Sequence, residues 1–309
     1  MDDILALENI LTEGTGLISG PWRLSVWKKY GSPVHYVFSE EHNNNGSCPG
    51  EKDISTLARQ VLRATDTVHV FIEHFIHATS IKNTSLDESV CTKSKEKAIL
   101  NNMRNCLEVL RINNPSESHR IHFVDPRTDI VAILPDGKVF EAITMYVEDL
   151  IKKKKFDGAL MTLYEAFIHP LLSIFPDKLE MTGRLTGQME RSRGVMDVEQ
   201  REFFDSIWRR DVVQRISLLT ELFRDIQKNK GYDRVEELMK VYRDMTNKFL
   251  DTWLLAKVFS AEHNGMTASM IYLGSLHSLN FETYLEQLGY SRTKLYENTN
   301  LTSCLNLRP

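Results

Sequence analysis

The sequence predicts an α/β fold with a central mixed, mostly parallel sheet flanked by helices and a large all-helical insertion. Three observations carry that expectation. Over residues 34–127, short β-branched and aromatic runs alternate with segments of helical spacing, the signature of βαβ units. From residue 141 to 259 nearly every segment reads as helix. A further apolar run, Ala268-Ser269-Met270-Ile271-Tyr272-Leu273, then returns the chain to the sheet. The expected organisation is one composite domain: residues 1–138 form the first half of the α/β core, 139–265 the helical insertion, and 266–309 the return to the core.

Residues 4–18 read as a short helix stopped by Gly14, Gly16 and Gly20. Residues 23–29 and 34–39 flank the turn-rich Tyr30-Gly31-Ser32-Pro33, a hairpin signal. After a polar loop, Asp53 or Ser55 can cap a helix with Ile54, Leu57, Ala58, Val61 and Leu62 at helical spacing. Residues 67–75 favour a strand through their β-branched and aromatic content. Residues 79–92 are polar and read as loop, residues 93–112 as an amphipathic helix, and residues 120–124 as a third core strand. Within the insertion, helices are expected over 141–154, 156–174, 198–229 and 232–259, with apolar faces that mark packing elements. A helix over 278–288, a short strand near 293–296 and an edge segment near 304–307 complete the reading.

Bulk properties narrow the function classes. The chain has 309 residues, 42% of them hydrophobic and 26% charged, enough to bury a large core. A net charge of -4 and a pI near 6.2 offer no basic stripe for nucleic acid. The Lys152-Lys153-Lys154-Lys155 run suits a solvated helix end. Cys48, Cys91, Cys106 and Cys304 show no CxxC or zinc-finger spacing, and reduced thiols are expected. The acidic N-terminus lacks secretory signal features, and no run reaches the roughly 20 apolar residues of a membrane helix. The expectation is a soluble, cytoplasmic protein. There is no GxGxxG after a strand, no Walker loop, no GxSxG elbow and no HExxH helix, so nucleotide-dependent and serine-hydrolase classes have no support.

The candidate site residues sit just past apolar strands, where open α/β sheets build ligand sites. Ser39-Glu40-Glu41-His42 follows the run 34–38; with alternation continued, Glu40 and His42 share a face and Glu41 points away. A carboxylate beside an imidazole can hold a metal, or act as a base with its orienting group. Glu73 interrupts a strand that should be buried, and an unpaired buried carboxylate costs several kcal/mol, about 3–5, so it needs a partner. Asp125-Pro126-Arg127 follows the third strand; Arg127 offers a planar fork to a carboxylate or phosphate, or to Asp125 itself. Gly274-Ser275-Leu276-His277 follows the last core run, Gly274 permitting a tight bend or close ligand approach and His277 standing at the start of a helix.

These residues, Glu40 with His42, then Glu73, then Gly274 with His277, resemble the motifs of the erythromycin-esterase-like, ChaN-like and TIKI/TraB group of α/β proteins. The order of elements over 34–127 and 268–290 carries the likeness, and the Asp125–Arg127 strand looks like an arginine-bearing motif of some members. Ser39 stands where the group usually has glycine. The arrangement also resembles that of uncharacterised proteins of large DNA viruses, with a Cys-containing loop (Cys48) after the first motif. The resemblance implies hydrolysis of the esterase or metallopeptidase kind, or metal or haem binding, with a small-molecule or peptide substrate. In that reading His42 is general base, directly or through a divalent metal such as zinc, manganese or cobalt held by His42, Glu73 and His277. Glu40 or Glu73 orients it, and His277 with Arg127 stabilises developing negative charge. The alternative is a non-catalytic scaffold or virion-associated structural protein of the same fold, with partner binding on the 141–259 helices.

Overall fold

The computed structural model describes residues 2–12, 16–41, 52–75, 99–127, 137–169, 184–229, 234–298 and 304–307. The fold is α/β, and the chain divides into two compact units: residues 1–124 with 261–309, and residues 125–260.

The first unit is built on a six-stranded mixed sheet. Its strands are β2 (Arg23–Lys28), β3 (Val34–Glu40), β5 (Val68–Phe75), β6 (Ile121–Asp125), β7 (Ala268–Gly274) and β8 (Ser291–Glu297), in the spatial order β6-β5-β7-β3-β2-β8. The pairings β5–β7 and β3–β7 at its centre are parallel; β2 runs antiparallel to both β3 and β8. β2 and β3 form the expected hairpin, closed by a turn in which Gly31 takes φ +75, a left-handed conformation that suits glycine. Strands β3 and β7 are buried along their whole length, which is why they read as continuous apolar runs. β8, Ser-Arg-Thr-Lys-Leu-Tyr-Glu, is almost wholly exposed, and its charged residues suit a sheet edge.

Helices cover both faces. On one face, α1 (Asp2–Thr12), α2 (Ile54–Ala64) and α3 (Ile99–Asn113) pack against the even-numbered residues Tyr36, Phe38, Val68, Val70, Ile72, Met270 and Tyr272. α2 buries Ile54, Leu57, Ala58, Val61 and Leu62, the stripe its spacing predicts, and Asp53 caps it by accepting from the Ser55 N–H at 2.7 Å. Each fully buried aliphatic side chain of this kind contributes about 1.5–3 kcal/mol. A short helix, α4 (Pro115–Ser118), leads into β6. The opposite face carries α11 (Ser275–Gln287). Short strands β1 (Leu17–Ser19), β4 (Lys52–Asp53) and β9 (Cys304–Asn306) make a separate three-stranded sheet. The predicted helix over 4–18 therefore ends at Thr12, and the residues after it supply β1.

The second unit is helical among its described residues. It holds α5 (Gly137–Lys152), α6 (Phe156–Leu163), α7 (Arg184–Val195), α8 (Val198–Trp208), α9 (Gln214–Asn229) and most of α10 (Val235–His263). Two π-turns, Tyr164–Ile168 and Arg209–Val213, interrupt what the sequence reads as continuous helices. The lysine run ends α5, with Lys154 at φ 57 and all of Lys152 to Lys155 exposed. The two units divide at 124/125 and 260/261, whereas the sequence boundary at 138/139 falls near the start of α5 and that at 265/266 in the turn between α10 and β7.

One expectation is overturned. Cys106 is buried and disulfide-bonded, so the thiols are not all reduced. Its partner is one of Cys48, Cys91 and Cys304, whose side chains lie outside the described residues. Spacing could not reveal this, because the bond joins cysteines brought together by packing rather than by a short motif.

Candidate active site

Parallel pairing brings the carboxyl ends of β5, β7 and β3 side by side, with Glu40 opposite Gly274 and Ile72 opposite Tyr272. The strand ends meet where α11 begins, immediately after β7. Glu40, Glu73, Gly274 and His277 all stand at or just past these strand ends. His42 lies outside the described residues.

Glu73 and His277 come together. Glu73 is 2% exposed and its Oε2 accepts the Gly274 backbone N–H at 2.9 Å. Its Oε1 faces His277 Nε2 at 3.9 Å, and His277 is 5% exposed. The buried carboxylate thus has the partner its position demanded, at a separation that suits one bridging water. α11 begins at Ser275 rather than near 278, so His277 is in its first turn beside backbone N–H groups that no helical carbonyl accepts. Gly274 has φ -61 and ψ 154, an extended conformation open to other residues, so the bend itself does not require glycine.

Glu40 does not join this pair. Strand alternation puts it on the opposite face of the sheet, with Tyr36 and Phe38, where its Oε2 accepts from Tyr272 Oη at 2.6 Å. Burial first, and then the Glu40 charge, hold the Tyr272 hydroxyl well above its ordinary pKa, so it stays a donor. On the same face His74 Nε2 lies 2.5 Å from Glu108 Oε1 of α3. Arg104, also of α3, donates to the Glu73 carbonyl through Nε at 2.8 Å and Nη2 at 2.6 Å. Asp125 and Arg127 pair with each other, Nε to Oδ1 at 2.9 Å and Nη2 to Oδ2 at 2.8 Å, and Arg127 also reaches Asn247 Oδ1 at 3.3 Å. The Asp–Arg turn pair weighed from the sequence is what forms.

Ser39, the departure from glycine, has a structural use. Fully buried, its hydroxyl lies 2.7 Å from Ser278 Oγ, tying β3 to α11. Ser275 Oγ, which accepts from Trp22 Nε1 at 3.0 Å, is 2.8 Å from the Glu40 carbonyl and 2.9 Å from Glu41 Oε1. Further along α11, Glu282 receives Arg23 Nη1 and Nη2, the latter at 2.7 Å, and Ser25 Oγ at 2.6 Å. The helix that carries His277 is thus clamped to the sheet by buried polar bonds.

Sequence reasoning missed Tyr272, Arg104, Ser275 and Ser278. Tyr272 was legible in principle, since a tyrosine inside a buried strand needs a partner for its hydroxyl; Arg104 carries no local signal within an ordinary amphipathic helix. A Ser–His–Glu arrangement also lies at the amino ends of β3 and β7. Ser269 Oγ is 2.8 Å from His35 Nδ1, and His35 Nε2 is 3.5 Å from Glu262 Oε1. Both Ser269 and His35 are 0% exposed, which denies a substrate the serine oxygen and makes this a packing arrangement.

Among the described residues no three His, Cys, Asp or Glu side chains form a group able to hold a metal ion. Glu73 Oε1 and His277 Nε2 supply two donors, and their 3.9 Å separation lies near the limit of about 4.2 Å that two ligands of one zinc can span. No described helix is long and apolar enough to cross a membrane. No family model matches the chain, and neither curated proteins nor solved structures yield a match to it.

Proposed function

We propose that the chain is a hydrolase of the esterase or peptidase kind, working through Glu73 and His277 at the carboxyl ends of the sheet strands. The observation that carries this reading is the facing pair itself: a buried carboxylate anchored by the Gly274 N–H, with its other oxygen 3.9 Å from a buried imidazole. A water hydrogen-bonded to both groups would be held for attack. Glu73 takes the proton of that water as its oxygen adds to the carbonyl carbon of the substrate. Protonated His277 then gives its proton to the leaving oxygen or nitrogen as the bond to carbon breaks. The N–H groups of the first turn of α11 are suited to the negative charge that develops on the carbonyl oxygen. Glu40 lies on the other face and takes a positioning role through Tyr272, and the Arg127 fork is engaged by Asp125.

A divalent zinc, manganese or cobalt ion would need His42 as a third donor beside Glu73 and His277, and would supply Lewis acidity. No step above passes through it.

The test uses p-nitrophenyl acyl esters and a fluorogenic peptide panel with the full chain. Glu73→Gln and His277→Ala should each lower kcat/KM about 10²–10⁴-fold with circular dichroism unchanged. A wild-type protein without turnover on either panel refutes the proposal, as do variants that keep full activity. Loss of activity in EDTA with recovery on adding zinc would replace the metal-free route by the metal-assisted one. The non-catalytic scaffold is favoured by one observation, the use of Ser39 for an internal bond to Ser278; it predicts silence on every substrate and partner binding that maps to the 141–259 helices.

A further inference from the structure

The helical unit also contains a place where, among the described residues, cations gather without a carboxylate partner. On α7, Gln188 and Arg191 are three residues apart and share a helix face; on α10, Trp253 and Lys257 are four apart and do likewise. These two faces meet. Lys257 Nζ lies 3.4 Å from Gln188 Oε1 and 4.9 Å from the centre of the Trp253 ring, and the Arg191 charge acts on it. Trp253 is 1% exposed, and its Nε1–H is a buried donor with no acceptor. Among the described residues no carboxylate pairs with Lys257 or with Arg191, although surface cations elsewhere in this unit are paired, as Arg193 is with Asp205 and Arg234 with Asp225.

We propose that Lys257, Arg191 and the Trp253 indole N–H form a binding site for an oxyanion, the carboxylate or phosphate group of a small ligand. Two cations gathered at one helix–helix contact, Lys257 on Gln188 and Arg191 one turn further along the same face of α7, repel, and partial burial strengthens that repulsion. An anion between them turns repulsion into two charge-assisted hydrogen bonds and gives the buried indole N–H an acceptor. A cation ligand is excluded by the same charges, and an apolar ligand would leave the indole donor orphaned. The amine already carries the mark of this environment: burial, and then Arg191, lower the Lys257 pKa to about 8. Gln188 positions the amine through its side-chain oxygen. The site is built wholly within the helical unit and does not depend on Glu73 or His277 being catalytic.

The experiment is a titration of the full chain, selectively labelled with ¹⁵N-tryptophan, which has four indole signals for its four tryptophans. A Trp253→Phe variant assigns the signal of interest. Inorganic phosphate and acetate are added separately, at ionic strength held constant with chloride, to about 50 mM, a range that captures millimolar affinity. The expected result is a saturable shift of the Trp253 signal alone, with the apparent Kd weakened at least about tenfold in Arg191→Gln and in Lys257→Gln. A shift with phosphate only assigns a phosphate-bearing ligand; a shift with acetate only assigns a carboxylate. Absence of a saturable shift with either anion overturns the proposal. So does an affinity that Arg191→Gln leaves unchanged, since that exposed side chain can be replaced without unfolding the chain.

Discussion

Removing Arg23 should destabilise the sheet unit more than removing its partner Glu282, although both break the same bond. The two side chains are 3% and 6% exposed and form a bidentate pair, with Ser25 Oγ as a third donor to Glu282 at 2.6 Å. Arg23 has a second acid, Glu297, at 2.7 Å from its Nε, but that carboxylate is 42% exposed. Burial alone would lower the Arg23 pKa; Glu282 and then Glu297 outweigh it and the net direction is upward. Breaking one side of a buried pair costs about 3–5 kcal/mol. Arg23→Met leaves a buried carboxylate with one hydroxyl, so it belongs at about 4–5 kcal/mol. Glu282→Met leaves an arginine still paired at the rim, so about 3 kcal/mol is expected. The double replacement by Met removes both charges and should lie within about 1 kcal/mol of the wild type, far below the sum of the singles. Urea unfolding would be followed by fluorescence with Trp208 and Trp253 changed to Phe, leaving Trp22 and Trp27 to report on the sheet unit. Trp27 donates to Ser25 Oγ at 2.9 Å and so reads this network directly. An Arg23→Met cost below about 1 kcal/mol, or a larger cost for Glu282→Met, would refute the reasoning. The network matters to the site because it clamps α11, whose first turn bears His277.

Other consequences can be checked on the same protein. His69 is 5% exposed and lies 2.8 Å from His122 Nε2; burial, then His119 and Arg120, lower its pKa to about 4. Its neutral form is the one the fold accepts, so the stability it contributes is full above pH 6.5 and is lost as pH falls toward 4. Wild type should therefore lose more stability than His69→Leu between pH 7 and pH 4.5 in urea titrations, and parallel curves would contradict this. Lys154 holds φ 57, so Lys154→Gly should raise the melting temperature, with a gain of about 1 kcal/mol; a loss of stability would show that the lysine side chain matters there. Thiol titration of the denatured, unreduced chain should find at most two of the four cysteines reactive, because Cys106 is bonded to one of the others. Four reactive thiols would remove the disulfide.

The elements were largely legible because local chemistry sets them. α2 announces itself through Asp53 and the Ile54, Leu57, Ala58, Val61, Leu62 stripe, and β7 through an unbroken apolar run. Glu73 was legible as a carboxylate in need of a partner, since desolvation is a property of the position and not of the fold around it. What Glu40 does was not, because a strand end shows its alternation but not which face each helix covers; only packing put it with Tyr272 and away from Glu73. The start of α11 at Ser275, which brings His277 into the first helical turn, rests on Gly274 lying in register with Glu40 and on Ser39 meeting Ser278. The Lys257–Arg191 site shares that origin: it joins residues far apart in the chain, and no local pattern encodes a contact that chain folding alone creates. The sequence by itself determined the α/β elements and the demand that a buried Glu73 find a partner. Tertiary structure decided which acid met which imidazole, because partner choice is a matter of sheet face and helix placement rather than of residue type.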